Sequence, residues 1–173
     1  MGVIRMTKAV LPYMRNQRDG RIINISSVGG LVGQPFNEIY CATKFGVEGY
    51  TEAMASYVQP EFNIKFTLIE PGGIQSEFTN NVMAQLQSTG GLKDDEYKPI
   101  LDSYLGGLKE NYGTGSSQTS EEVAIVILNT LEMEEPPIRT RTSDWSEAFT
   151  ELKTQADPTG KEQQRRVVKL LGK

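Results

Sequence analysis

Apolar residues recur along this chain with two alternating periods. Over residues 2–16, Val3, Met6, Val10 and Met14 repeat at helical spacing. Pro12 is expected to bend or fray that helix near its end, because proline has no amide donor. Gly20 marks the stop, and residues 21–25 read as a short buried strand. Asn37 stands where an N-cap belongs, opening a helix to about residue 58. On it Phe45, Val47, Met54 and Tyr57 offer an apolar face to a sheet or a partner, and Pro60 is expected to end it. Residues 64–69 form the next strand, closing on Glu70-Pro71-Gly72-Gly73. Strand, long helix and strand make a βαβ unit, which predicts an α/β fold with parallel strands and a right-handed crossover.

Beyond that unit, residues 75–111 hold two amphipathic segments joined by Gly90-Gly91. Met83, Leu86, Tyr97, Ile100, Leu101, Tyr104 and Leu105 are expected to face inward. The run 113–117 reads as a flexible loop. Thr119 or Ser120 caps a helix to about Glu132, with Glu121 and Glu122 at its positive end. Pro136-Pro137 leads into a third strand at 138–142. Ser143 or Asp144 caps a helix through residue 152, and a last helix spans 161–171, with Arg165 and Arg166 as solvated surface. Neither repeats nor a long linker divide the chain, so residues 1–173 read as one domain portion.

Composition narrows the chemistry. Lysine plus arginine number 18 against 22 acidic residues, a net charge of −4 with no basic footprint for nucleic acid. The absence of histidine removes Ser-His-Asp and Cys-His catalysis and the usual zinc sites, and no metal is expected. The single cysteine, Cys41, reads as a small buried apolar residue in a reducing compartment. The longest apolar run, residues 123–128, is too short to span a bilayer. Met1-Gly2 opens onto a helical pattern without a signal-peptide core, so the cytoplasm is the expected location.

The candidate chemistry lies between residues 26 and 44. Ser26-Ser27-Val28-Gly29-Gly30 follows the first strand and places a hydroxyl in a glycine-rich loop. Gly29, Gly30 and Gly33 do not make a Gly-x-Gly-x-x-Gly phosphate loop, so the segment reads as a shaped wall beside a site. Tyr40 and Lys44 are four apart and share a helix face. A phenol normally titrates near 10, and an adjacent ammonium stabilises the phenolate, suiting the pair to acid/base work on an oxygen. Ligands in parallel sheets sit beyond the carboxyl ends of strands, where Ser27 and Pro71-Gly72 both fall.

Asn24-Ile25-Ser26-Ser27, then Tyr40, then Lys44 resembles the short-chain dehydrogenase/reductase family in order and spacing. The local text is most similar to members acting on steroid, retinoid or other apolar alcohols and ketones. The resemblance implies an incomplete Rossmann-like, doubly wound parallel sheet of about three strands with flanking helices. It implies that Tyr40 exchanges a proton with the substrate oxygen, that Lys44 lowers its pKa and holds the nicotinamide ribose, and that Ser27 orients the substrate. Pro71, Gly72, the backbone of Ile74 and the hydroxyl of Ser76 would face the nicotinamide of NAD(H) or NADP(H), with NADP slightly favoured. Residues 75–115 would form a substrate lid, and helices 2–16 and 38–58 would pair between subunits of a homo-oligomer.

The family's β-α-β half with its glycine-rich fingerprint, its Asn-Ala-Gly stretch and its catalytic asparagine have no match in this sequence. The expectation is therefore a C-terminal portion, truncated and inactive alone. The alternatives are a non-catalytic dimerisation module, or a sugar-nucleotide epimerase or dehydratase using the same Tyr-x-x-x-Lys pair. The short region after Pro71 speaks against the latter.

Overall fold

The computed structural model describes residues 1–111 and 117–169. Its elements, in order, are α1 (Gly2–Gln17), β1 (Gly20–Ile25), a 3-10 turn (Val28–Gly30), α2 (Glu38–Phe62), β2 (Ile64–Glu70), β3 (Gly73–Gln75), α3 (Glu77–Ser88), α4 (Lys98–Asn111), β4 (Ser117–Thr119), α5 (Ser120–Glu132), β5 (Arg139–Arg141), α6 (Asp144–Thr154) and α7 (Lys161–Val168). The main sheet has the order β1-β2-β5, all parallel. Gly20 pairs with Ile64 and Ile25 with Ile69 along its first ladder. This is the βαβ unit and third strand that the apolar pattern predicts.

β2 lies at the centre, which explains why nearly all of it is buried while β1 is buried only at alternate positions. Ile64, Phe66 and Leu68 point to one face, where Ala55 and Val58 of α2, Ile22 of β1 and Ile138 complete the core. Val10, Leu11 and Met14 of α1 and Val47, Met54 and Phe62 of α2 pack around it. On the opposite face, Thr67 donates to the carbonyl of Pro137 at 2.9 Å, and Lys65 bonds to the Glu134 carbonyl.

Several sequence expectations need correction. α2 does not stop at Pro60; it runs to Phe62, where Asn63 turns left-handed (φ 55°) and its N–H closes on Gln59 at 2.9 Å. The last turn survives the proline because Phe62 packs on the core, flanked by the guanidinium groups of Arg15 and Arg18. In α1, Met6 is exposed and Thr7 takes the buried place. Asn37 precedes α2 without capping it, its side chain donating instead to Pro35. Met83 of α3, Tyr97 just before α4, and Ile100 and Leu105 of α4 are exposed, because among the described residues the two helices pack only lightly on the other elements. Phe45 and Tyr57 are likewise exposed. The 113–117 loop lies outside the described residues except Ser117, which begins β4, and so does Leu171 of the last helix.

Two features set how open the molecule is. Among the described residues β1 pairs only with β2, so one edge of the sheet is unpartnered. The chain exposes 11128 Å², against about 8,400 Å² for a compact protein of its mass.

The helix starts follow local chemistry. Thr119 caps α5 by accepting from Glu122 N at 3.1 Å, while the Glu122 carboxylate accepts from Thr119 N at 2.7 Å, a reciprocal capping box. Thr119→Ala is expected to cost about 0.5–2 kcal/mol in denaturant unfolding. A change below a few tenths would show that α5 is held by packing alone.

Candidate active site

β1 delivers its carboxyl end into the turn that begins at Ser27. With φ −173° and ψ 162°, Ser27 is extended and caps the 3-10 turn, its Oγ accepting from Gly29 N at 3.0 Å. The same hydroxyl reaches the Pro71 carbonyl at 3.4 Å, and Val28 N donates to that carbonyl at 3.0 Å. Ser26 N donates to Ile69 O at 2.7 Å. The loops after β1 and β2 are thus stitched together at the carboxyl edge of the sheet.

α2 brings in the other two groups. The Tyr40 ring lies over Gly29, so close that a Cβ there would stand 2.9 Å from its Cε1. This is the reason glycine is needed at position 29. The ring also meets Phe78, with centroids 6.2 Å apart. One turn on, Lys44 Nζ donates to the Ile25 carbonyl at 3.1 Å and sits 5.7 Å from the Tyr40 ring centroid. Partial burial lowers the Lys44 pKa below its ordinary value, and the nearby Glu48 carboxylate works against that shift.

Ser27, Tyr40 and Lys44 are therefore gathered around Ile25 and Gly29, and Pro71 joins them through the Ser27 hydroxyl. Gly72 packs against Trp145, where a Cβ would lie 2.7 Å from the indole ring. Ile74 stands further along, in the middle of β3 opposite Gln118 of β4. Ser76 caps α3, its Oγ accepting from Phe78 N at 3.4 Å. The short β3–β4 pairing was not predicted; three-residue polar strands carry no periodic signal. Cys41 is buried, with its thiol 3.9 Å from the Val32 carbonyl, as a packing residue. A cavity of about 280 Å³ lies elsewhere, between α2 and α7.

Sequence reasoning also missed a buried charged cluster beneath the site. Glu48 of α2, Glu70 at the end of β2 and Arg141 of β5 are all buried. Arg141 contacts Glu70 at 3.3 Å and Glu147 of α6 at 3.0 Å. The available signal was Glu70 directly following the apolar pair Leu68-Ile69.

Chemically, the arrangement offers a phenol and an ammonium beside a hydroxyl, at the strand ends where an α/β sheet binds ligands. The family description "short chain dehydrogenase" matches residues 1–87, and the chain belongs to that family. It is 37% identical over 161 residues to retinol dehydrogenase 8 of Bos taurus, covering 92% of this chain and 51% of that protein. It is 35% identical over 144 residues to 17-beta-hydroxysteroid dehydrogenase type 1 of Homo sapiens, covering 83% and 43% respectively. The chain thus spans about half the length of the curated relatives it matches. A short-chain dehydrogenase from Streptomyces avermitilis shares the fold, with a TM-score of 0.69 at 24% identity over 97% of this chain and 58% of that one. A serine dehydrogenase complexed with NADP+ does so with a TM-score of 0.61 at 24% identity over 81% and 50%. The small parallel sheet flanked by helices is that fold in incomplete form.

Proposed function

We propose that this chain carries the catalytic portion of an NAD(P)-dependent oxidoreductase acting on a secondary alcohol or ketone of an apolar molecule. The observation that carries the reading is the gathering of Ser27, Tyr40 and Lys44 around Gly29 and Ile25 at the carboxyl end of β1. The Tyr40 hydroxyl gives a proton to the substrate oxygen in reduction and takes it back in oxidation. Lys44 stabilises the phenolate. Ser27 orients the substrate oxygen and stabilises charge developing there. When bound, the nicotinamide supplies or accepts the hydride. Lys44 and Tyr40 would hold its ribose, and Pro71, Gly72, the backbone of Ile74 and Ser76 would face its carboxamide. The residues present suit that end of the cofactor. They do not suit its pyrophosphate, for which the sequence has no glycine-rich fingerprint at a helix start.

The names of the retinol and hydroxysteroid relatives support an apolar alcohol or ketone as substrate, and NADP is slightly favoured as the cofactor. Exposed Met83, Tyr97 and Ile100 fit a substrate lid over residues 75–115. A homo-oligomer through α1 and α2 would cover Phe45 and Tyr57. Among the described residues no helix is long and apolar enough to cross a membrane, and the lone buried cysteine fits the cytoplasm. Titration of the 173-residue chain is expected to find no micromolar binding of NADH or NADPH. The complete protein is expected to oxidise retinol or a steroid alcohol, followed by absorbance of the reduced nicotinamide. Failure of the complete protein on every apolar alcohol and ketone offered would overturn the reading. It would favour the second one, a non-catalytic interaction module, to which the unpartnered edge of β1 already points.

A further inference from the structure

Two carboxyl groups meet beneath the catalytic triad. Glu48 lies one helical turn beyond Lys44 on α2 and is 6% exposed, while Glu70, the last residue of β2, is 0% exposed. They converge at Ser26: its N–H donates to Ile69 O at 2.7 Å, next to Glu70, while its Oγ and Glu48 Oε1 stand 2.7 and 2.9 Å from where a Cβ on Gly30 would lie. Among the described residues, however, no donor of good geometry reaches either Glu48 oxygen or Glu70 Oε1. Two ionised carboxylates are acceptors only, so neither can satisfy the other. A buried acceptor left without a donor costs on the order of 1–3 kcal/mol. One proton placed between the two groups removes that cost.

The surrounding charges do not remove it otherwise. From β5, Arg141 touches Glu70 at 3.3 Å but also serves Glu147 of α6 at 3.0 Å. Arg139, also of β5, is engaged by Glu52 of α2 at 2.9 Å. Ser26, at the end of β1, is packed against the pair. A Cβ at Gly30 would stand 2.7 Å from Ser26 Oγ and 2.9 Å from Glu48 Oε1, so the glycine leaves the space that Glu48 fills. On α2 itself the cation facing Glu48 is Lys44.

We propose that Glu48 and Glu70 share one proton, and that the single negative charge left on the pair is a positioning group for the Lys44 ammonium one helical turn before Glu48. The role of Lys44 rests on the oxidoreductase reading; the shared proton does not. Burial, then the like charge of Glu48, pushes the Glu70 carboxyl up to about 9. Burial, and the like charge of Glu52, raise Glu48 as well, while Ser26, Glu70 and the charge of Arg139 work against that shift. Whichever carboxyl carries the proton donates it to the other, ionised one.

Infrared spectroscopy of the 173-residue chain tests the pair directly. At pH 7–8 ordinary carboxyls are ionised, so a neutral-acid C=O band there reports a shared proton. The band is expected in the native chain, fading as the pH passes about 9, and absent from Glu70→Gln. No such band in the native chain at pH 7 would overturn the sharing. The positioning role is read from the titration of Lys44 followed by NMR. In Glu48→Gln the Lys44 midpoint is expected to fall, because the opposing carboxylate is gone; an unchanged midpoint would overturn that role. Where Glu48→Gln does not fold, Glu48→Asp carries the same test, its retracted carboxylate lowering the midpoint in the same direction. Neither measurement needs cofactor or turnover. An inactive complete protein would sink the oxidoreductase reading and leave the pair standing, and a missing acid band would do the reverse.

Discussion

If the proposed oxidoreductase reading holds, replacing Tyr40 with phenylalanine lowers turnover by the complete protein about 10²–10⁴-fold, the usual worth of a positioned acid or base. The substitution removes one oxygen and little else. The ring keeps its seat over Gly29 and against Phe78, and Lys44 keeps its bond to the Ile25 carbonyl. Nicotinamide binding should therefore weaken only a few-fold, because Lys44 and the turn at Pro71 remain. Steady-state kinetics paired with equilibrium cofactor titration separates the two effects. A variant that turns over at the native rate removes Tyr40 from the chemistry. A variant that loses cofactor binding in step with turnover makes the phenol a binding group instead. Gly29 bears on the same point, since any side chain there would displace the Tyr40 ring.

The largest expected effect on stability is at Phe66. It is fully buried at the middle of β2, with Ile22, Ala55, Val58, Ile64, Leu68 and Ile138 in the same cluster. Phe66→Ala is expected to cost about 3–5 kcal/mol, the lost transfer energy plus the cavity left behind. Domains of this size have roughly 5–15 kcal/mol in total, so the variant should sit near the limit of folding at 25 °C. Urea or guanidinium unfolding of the native chain and the variant measures the difference. A loss below about 1 kcal/mol would mean that α2 settles onto β2 and fills the space.

Much of this architecture is legible in the chain. The four-residue spacing of Tyr40 and Lys44, the glycine-rich turn after an apolar strand and the βαβ pattern are local or nearly local signals, and α2 and both of its flanking strands form as expected. Pro60 misleads because a proline near a helix end can be tolerated where tertiary packing holds the last turn, as Phe62 and Asn63 do here. Met6 misleads because period alone does not fix which side of a helix faces the sheet; Thr7 takes that place. The apolar residues of α3 and α4 share faces as their spacing suggests, but spacing cannot say whether anything covers a face. The acid pair is the least legible feature. Glu48 and Glu70 are separated by 22 residues in the chain (70 − 48), and their meeting depends on how α2 lies across β2.

The unpartnered flank of β1 bears on how the chain behaves as a solute. Its free backbone groups are most readily quenched by another strand, whether from the same polypeptide, a sibling or a stranger. Association through that flank is therefore expected to grow as copies are brought close together, and a strand that pairs there is expected to suppress it.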